Sequence, residues 1–472
     1  MKRRKRAVVP VGNGSSRSLY GPDYEQKAAI AMKKYLSASL AWLKACPNPR
    51  RSVVLLTLCA LTAVSAHIIF IRFLPAPWEA GRSADFRTYY GPVAQRLANG
   101  KGLSLPSGKP AVRYPPGIPL LYGATFWTAQ KLSVSVASVT RILQGLFVVA
   151  GSVLVAAITF AIFPSRVALL ASLLWSTYPL QLWLTRQPSG MNAFCVLLLL
   201  CVFLFLRWAK RGSHAFLYGG LLGASLGLSS LVKPFAIALP VVFAVLAWLC
   251  SVPCPWRKRV LFSACVVVMY VMVISPWEIW ARRATGRWIP LSTDGPAAMV
   301  DGLSFGLVRH TKSEIPLPAD VSSVARDVAQ HGRQLTNASS AVRFVIGEAR
   351  ERPASVAHLF LIKAVRSWYG NDSHTHEKWI ALIQLLYLPL VLFGARLAWI
   401  HGTGTRNFLL VAGALTLYYW TMTTFVALSI VRYMIPASAL LMILAGSGLE
   451  SAVAHCWMAL APRLRPSPTF GD

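Results

Sequence analysis

The chain has 472 residues, 55% of them apolar and only 14% charged, with a mean hydropathy of +0.51. Apolar runs of about 20 residues, enough to cross a hydrocarbon layer of about 30 Å, recur from residue 53 to residue 455, which excludes a soluble fold. A formal charge of +32 would suggest nucleic acid for a soluble chain; here it is concentrated in short segments between apolar runs, which removes that partner and marks cytoplasmic ends instead.

Residues 1–52 open with Met1-Lys2-Arg3-Arg4-Lys5-Arg6 and carry a basic amphipathic stretch at 22–45, introduced by Asp23 and Glu25. That stretch is expected to lie on the anionic inner leaflet. Val64-Ser65-Ala66 resembles a cleavage site, but the apolar run continues through Ile68 to Leu74, so 53–74 reads as an uncleaved first span. Residues 75–138 then face outward. Within them Gly117–Gln130 is apolar, bounded by Pro115-Pro116 and Lys131, and too short to cross, so an interfacial helix is expected. Further spans fall near 139–163, 167–185, 190–207, 214–232, 234–252 and 260–276. They leave Pro164-Ser165-Arg166, Arg207–Arg211 and Arg257–Arg259 on the cytoplasmic side. Residues 277–376 form a longer polar section, read as an outer loop domain or lid. Spans near 378–400, 406–428 and 433–453 return residues 456–472 to the cytoplasm. The expected fold is all-α and polytopic, with about ten transmembrane helices. It divides into a 53–276 core containing the 75–138 loop, the 277–376 loop region and the 377–455 helices. None of the eight cysteines falls in a segment assigned outside, so no disulfide framework is expected.

The chain has sixteen acidic residues, and none lies between Asp85 and Glu278. Ion-coupled transporters commonly keep carboxylates inside the membrane, so this gap argues against a coupled pump and leaves an uncoupled flippase as the alternative to an enzyme. In the first outer loop the acids are Glu79 and Asp85. Asp85 precedes a short predicted helix, Phe86–Ala98, with Tyr89, Tyr90 and Ala94 at near-helical spacing. Its carboxylate can cap that helix, or it can take a proton from an attacking hydroxyl or amine. Lys233 interrupts apolar sequence, where a cation costs about 3 kcal/mol on insertion scales, so a compensating partner is expected. Arg432, and with it Arg141 and Arg186, sit at outer ends of predicted spans, where a snorkelling role competes with anion binding. Trp277, Trp280 and Trp288 suit an interfacial aromatic belt. His374-x-His376-Glu377 lacks a further ligand partner and reads as a polar loop, so no metal site is assigned. Asn337-Ala338-Ser339 has the form of a glycosylation sequon.

Asp85 with Tyr89 and Gly100-x-Gly102, followed by Arg113-Tyr114-Pro115-Pro116-Gly117-x-Pro119, resembles the first outer loop of the GT-C glycosyltransferases. Bacterial protein O-mannosyltransferase-like proteins and the lipid A aminoarabinose transferase are the members in question. Gly223-x-x-x-Gly227-Leu228-x-x-Leu231-Val232-Lys233-Pro234 is similar to the family's Gly-rich helix. Pro276-Trp277, Arg282, Gly286 and Leu291-Ser292-Thr293-x-Gly295 are similar to the opening of its large outer loop, and Pro353, Lys363, Trp368, Arg432-Tyr433 and Pro436 continue the order. The likeness covers roughly residues 53 to 450.

The resemblance implies an inverting transferase with a polyprenyl-phosphate sugar as donor, no certain cofactor and no implied divalent metal. It implies an inner-membrane location with the site facing the periplasm, and a glycolipid, polysaccharide or protein as acceptor. Carried over, Asp85 becomes the base, Lys233 and Arg432 hold the donor phosphate, and Tyr89, Arg113, Tyr114, Arg141 and Arg282 are weaker substrate-binding candidates. Asp85 is followed by Phe86-Arg87 where many relatives have a second acid, and Glu278-Ile279-Trp280-Ala281-Arg282-Arg283 replaces the usual Arg-Asn.

Overall fold

The structure, a computed structural model, describes residues 49–73, 84–186, 188–305, 317–332, 334–335, 337–371 and 376–460. The expected amphipathic stretch at 22–45, Glu79, His374 and the tail beyond residue 460 lie outside them. The described residues from Leu56 onward form one unit.

In chain order, α1 (Pro49–Arg72) is followed by a π-helical turn at Phe86–Tyr90, then α2 (Gly91–Ala98) and α3 (Gly117–Leu132). Next come α4 (Val136–Ile162), α5 (Ser165–Ser176), α6 (Pro179–Thr185), α7 (Met191–Arg211) and α8 (Ala215–Val232). A 3-10 turn at Pro234–Ala236 leads into α9 (Leu239–Leu249), and α10 (Trp256–Thr285) follows. Four short helices form the next section: α11 (Gly295–Leu303), α12 (Ala319–His331), α13 (Ala338–Glu351) and α14 (Pro353–Arg366). The chain closes with α15 (Glu377–Ile400), α16 (Thr403–Phe425), a 3-10 turn at Val431–Tyr433 and α17 (Ile435–Leu460).

Each expected span contains helix, but the expected count of about ten is corrected. Among the described residues eight helices are long and apolar enough to cross a membrane, or nine if the bent pair α5–α6 is one span. That pair bends by 51° at Thr177-Tyr178. Pro179 has no N–H to continue the ladder and holds the preceding Tyr178 extended, at ψ 115°. The run expected at 234–252 is helical only over Pro234–Leu249, too short for the same test.

Small residues let the central helices touch backbone to backbone. Gly219, Gly223 and Gly227 repeat every fourth residue along α8, and a methyl group on Gly223 would stand 2.3 Å from the Val266 carbonyl of α10. Large side chains fill the space around this crossing, with the Trp208 and Phe262 rings stacked 3.7 Å apart. On α15 the opposite pattern holds: Leu382, Leu385, Leu386 and Leu392 are all exposed, as an apolar lipid-facing stripe requires. Polar side chains tie α3 to the bundle. The Gln144 amide donates to the Tyr122 hydroxyl at 2.9 Å, and the Asn192 amide donates to the Gln144 carbonyl at 3.0 Å.

The four short helices enclose their own apolar cluster around Val300, Leu303, Val321, Val324, Val328 and Leu359. Lys363, fully buried, fastens this cluster to the bundle. Its ammonium donates to the Gly302 carbonyl at 2.7 Å and to the Ala427 carbonyl, beyond α16, at 2.9 Å.

Candidate active site

The site begins with the π-helical turn at Phe86–Tyr90, whose wider winding buries Phe86, Tyr89 and Tyr90 together. Asp85 stands at the start of this turn without capping it. Its carboxylate instead accepts a hydrogen bond from the Tyr114 hydroxyl at 3.2 Å. The Tyr114 ring is held edge-on to Tyr89 at 5.1 Å and tilted against Tyr90 at 5.0 Å. The Tyr114 backbone N–H points to the Tyr89 hydroxyl at 3.4 Å.

The buried Tyr114-Pro115-Pro116 turn is rigid, and Gly117 directly after it lets the loop seat on the end of α8. A methyl group at Gly117 would lie 2.5 Å from the Leu231 carbonyl, two residues before Lys233. This close approach explains why the tyrosine cluster and the lysine share one neighbourhood. The Lys233 ammonium is 5.9 Å from the Tyr90 ring centroid. Burial, and then Arg432, lower its pKa to about 8 against the opposite pull of Asp85 and Asp294.

Arg432 reaches this place from the 3-10 turn at Val431–Tyr433. Its guanidinium lies 5.1 Å from the Tyr433 ring centroid and donates to that hydroxyl at 3.3 Å. Tyr433 in turn packs on Phe235, two residues after Lys233, with ring centroids 4.9 Å apart. Burial raises the Tyr90 pKa well above the ordinary phenol range, and Asp85, Tyr114, Tyr433 and Asp294 add to the effect. Tyr90 is therefore the hub around which the other groups converge.

Asp294 is a member that sequence reasoning missed; it occupies the unspecified position of Leu291-Ser292-Thr293-x-Gly295. Its carboxylate accepts from Arg113 Nε at 2.9 Å, and the Ser292 hydroxyl donates to the Arg113 carbonyl at 2.6 Å. An acid immediately before a Gly-Pro helix start was the available signal. Glu278 supports the same loop by accepting the Leu291 N–H at 2.7 Å.

The other candidates have contacts of their own. Arg282 is exposed at the end of α10, with its guanidinium 5.3 Å from the Trp288 ring centroid. Arg141 lies near the start of α4, where His67 approaches its backbone carbonyl at 3.4 Å. Arg186 sits on the Trp183 ring at 3.7 Å. The charges acting on Lys233 are Arg432, Asp85 and Asp294. Among the described residues no group of three or more His, Cys, Asp or Glu side chains is placed to hold a metal.

No protein-family model matches the chain, and no curated protein matches its sequence. Its backbone does match the crystal structure of the Archaeoglobus fulgidus oligosaccharyltransferase tethered with an acceptor peptide containing the NVT sequon. The TM-score is 0.53 at 12% identity, over 89% of this chain and 51% of that one. In fold, the chain is similar to GT-C enzymes. The apo form of the oligosaccharyltransferase gives a TM-score of 0.51 at 13% identity, over 89% of this chain and 53% of that one. ArnT from Cupriavidus metallidurans bound to undecaprenyl phosphate gives 0.37 at 15% identity, over 88% and 81%. The chain thus spans about half the length of the oligosaccharyltransferases it matches. In this GT-C-like bundle a carboxylate, two cations and a tyrosine cluster share one end of the helices, an arrangement able to receive a proton and to hold an anion.

Proposed function

We propose that this membrane protein transfers a sugar from a polyprenyl-phosphate donor to an envelope acceptor on the non-cytoplasmic face, with inversion at the anomeric carbon. The observation that carries this reading is the convergence of Asp85, Lys233 and Arg432, far apart in sequence, on one electrostatic neighbourhood. The basic segments at the opposite helix ends support a non-cytoplasmic position for this end, and the GT-C-like fold agrees with a lipid-linked donor.

An acceptor hydroxyl or amine held beside Asp85 attacks the anomeric carbon. Its proton passes to the Asp85 carboxylate as the new bond to the sugar forms. The bond between that carbon and the phosphate oxygen breaks, and its electron pair leaves on the polyprenyl phosphate. Negative charge then grows on the phosphate, where Lys233 and Arg432 stabilise it more in the transition state than in the ground state. Tyr114 orients the base through its hydroxyl, and Arg113, neutralised by Asp294, fixes the loop that carries Tyr114.

The test is the purified chain with a synthetic polyprenyl-phosphate sugar and a cell-envelope acceptor fraction. Release of polyprenyl phosphate, abolished by Asp85→Asn at unchanged protein level, is the expected result. Exchange of the donor between leaflets without release would replace this reading with a flippase.

A further inference from the structure

A cavity of about 760 Å³, with a mixed polar and apolar lining, opens at the other end of the bundle. It is separated from Lys233 by α8, whose 18 residues span about 27 Å. The ends of α4 and α7, the 251–253 loop and the starts of α10 and α16 form its walls. Arg207, Lys210 and Arg259 line it, and no aspartate or glutamate does among the described residues.

Lys210 and Arg259 are held by backbone carbonyls rather than by counter-charges, and Arg207 by an aromatic ring. Lys210 donates to the Ala161 carbonyl at 3.2 Å, and Arg259 donates to the carbonyls of Trp248 and Val252 at 3.2 and 3.0 Å. Arg207 stands over the Phe203 ring at 6.0 Å. Each bond fixes a positive group at the cavity wall without cancelling its charge, and each side chain keeps further N–H donors. Three like charges gathered in a partly desolvated hollow repel one another unless an anion joins them. The first turn of α16, with Thr403 and Gly404 at the wall, adds backbone N–H groups of the same polarity.

The depth of the opening identifies the source of that anion. Exposed Trp248, Trp256 and Trp399 stand on the helix ends around the cavity, the position tryptophan takes at the headgroup level. Apolar Ile162, Leu206 and Val252 also line the cavity, beside the cations. We propose that this cavity is a binding site for the phosphodiester headgroup of an anionic phospholipid from the cytoplasmic leaflet. The headgroup phosphate meets Arg207, Lys210 and Arg259, and the first methylenes of the lipid meet the apolar wall. The lipid bridges the ends of α4, α7, α10 and α16 on this side of the bundle.

The full chain, purified in detergent and examined by native mass spectrometry, tests this with dioleoyl phosphatidylglycerol against dioleoyl phosphatidylcholine. Selective retention of phosphatidylglycerol is expected. Each cation near an anionic surface contributes about fivefold, so Arg207→Gln should weaken retention about fivefold and Arg207→Gln with Lys210→Gln about 25-fold. Arg207→Gln removes no backbone hydrogen bond and serves as the variant that keeps the helix ends intact. Equal retention of the two lipids, or unchanged retention in both variants, overturns the proposal. Displacement of the lipid by millimolar inorganic phosphate also overturns it and assigns the cavity to a soluble phosphate.

Discussion

Replacing Tyr114 by Phe isolates the contact on which the proposed base depends. The substitution removes one hydroxyl while keeping the ring that packs against Tyr89 and Tyr90 at 5.1 and 5.0 Å, and the backbone N–H toward Tyr89 is untouched. A hydrogen bond to a charged acceptor is worth about 1.5–3 kcal/mol, and the 3.2 Å separation from Asp85 is long for an O–H donor, which favours the lower figure. At about 1.4 kcal/mol per decade, Tyr114→Phe should slow transfer roughly tenfold. Asp85→Asn, by removing the base, should slow it by about 10²- to 10⁴-fold. The two changes act on one unit, so the double variant should be no slower than Asp85→Asn alone. The assay is single-turnover release of polyprenyl phosphate at saturating donor, with donor KM measured alongside. Additive losses in the double variant, or a Tyr114→Phe effect confined to KM, would refute the assignment of Tyr114 as the group that orients Asp85.

Lys233 holds phosphate best as an ammonium, so donor use should fall as pH rises through about 8, and Lys233→Arg should remove that limb of the KM profile. Arg432 lowers the Lys233 pKa, so Arg432→Gln should move the same limb to higher pH while weakening donor binding; a limb that stays in place separates the two residues. Gly117→Ala sets a methyl group 2.5 Å from the Leu231 carbonyl and should cost about 1–3 kcal/mol of packing, seen as lost transfer with the protein still inserted. Lys363→Met leaves the Gly302 and Ala427 carbonyls without their donor and should destabilise the loop helices by about 2–5 kcal/mol in limited proteolysis. Burial, and then Arg366, lowers the folded Lys363 pKa to about 7 from an ordinary 10.5. The buried ammonium therefore costs most below pH 7, and stability should rise between 7 and 10.5, where the unfolded chain binds the extra proton. The Met variant should lack that rise.

The sequence displayed the helices plainly because lipid demands long apolar runs and charge marks their ends. It overstated the spans where length alone was the guide, since Pro179 bends one run and Pro253 and Pro255 follow the early end of another. Asp85, Lys233 and Arg432 stood out because each is a charge in apolar or aromatic surroundings. Their convergence was not legible, because it depends on Gly117 against Leu231 and on Phe235 against Tyr433, contacts with no periodic signature. Asp294 escaped for a related reason: its partner Arg113 lies in another outer loop, and nothing local to either announces the pair. Arg141 and Arg282 show the limit of reading cations at helix ends, because position in the sequence gives their end of the bundle and not their partners.

The balance of charge around Tyr90 bears on the order of events. Asp85 and Asp294 face Arg113, Lys233 and Arg432, an excess of one positive charge before any donor arrives. A lipid phosphodiester with its single negative charge brings this neighbourhood to neutrality. When the sugar leaves, the phosphate becomes a monoester with about −1.5 to −2 at neutral pH, while Asp85 takes up a proton and loses its own charge. The added negative charge on the phosphate is thus matched by the one removed from the base, and the site stays close to neutral throughout. Asp85→Asn upsets this match from the start: it strengthens the grip on the donor while removing the proton acceptor. Tighter donor binding with lost transfer is therefore the pattern expected of that variant, whereas weaker donor binding would place Asp85 outside the electrostatic balance on which the proposed chemistry rests.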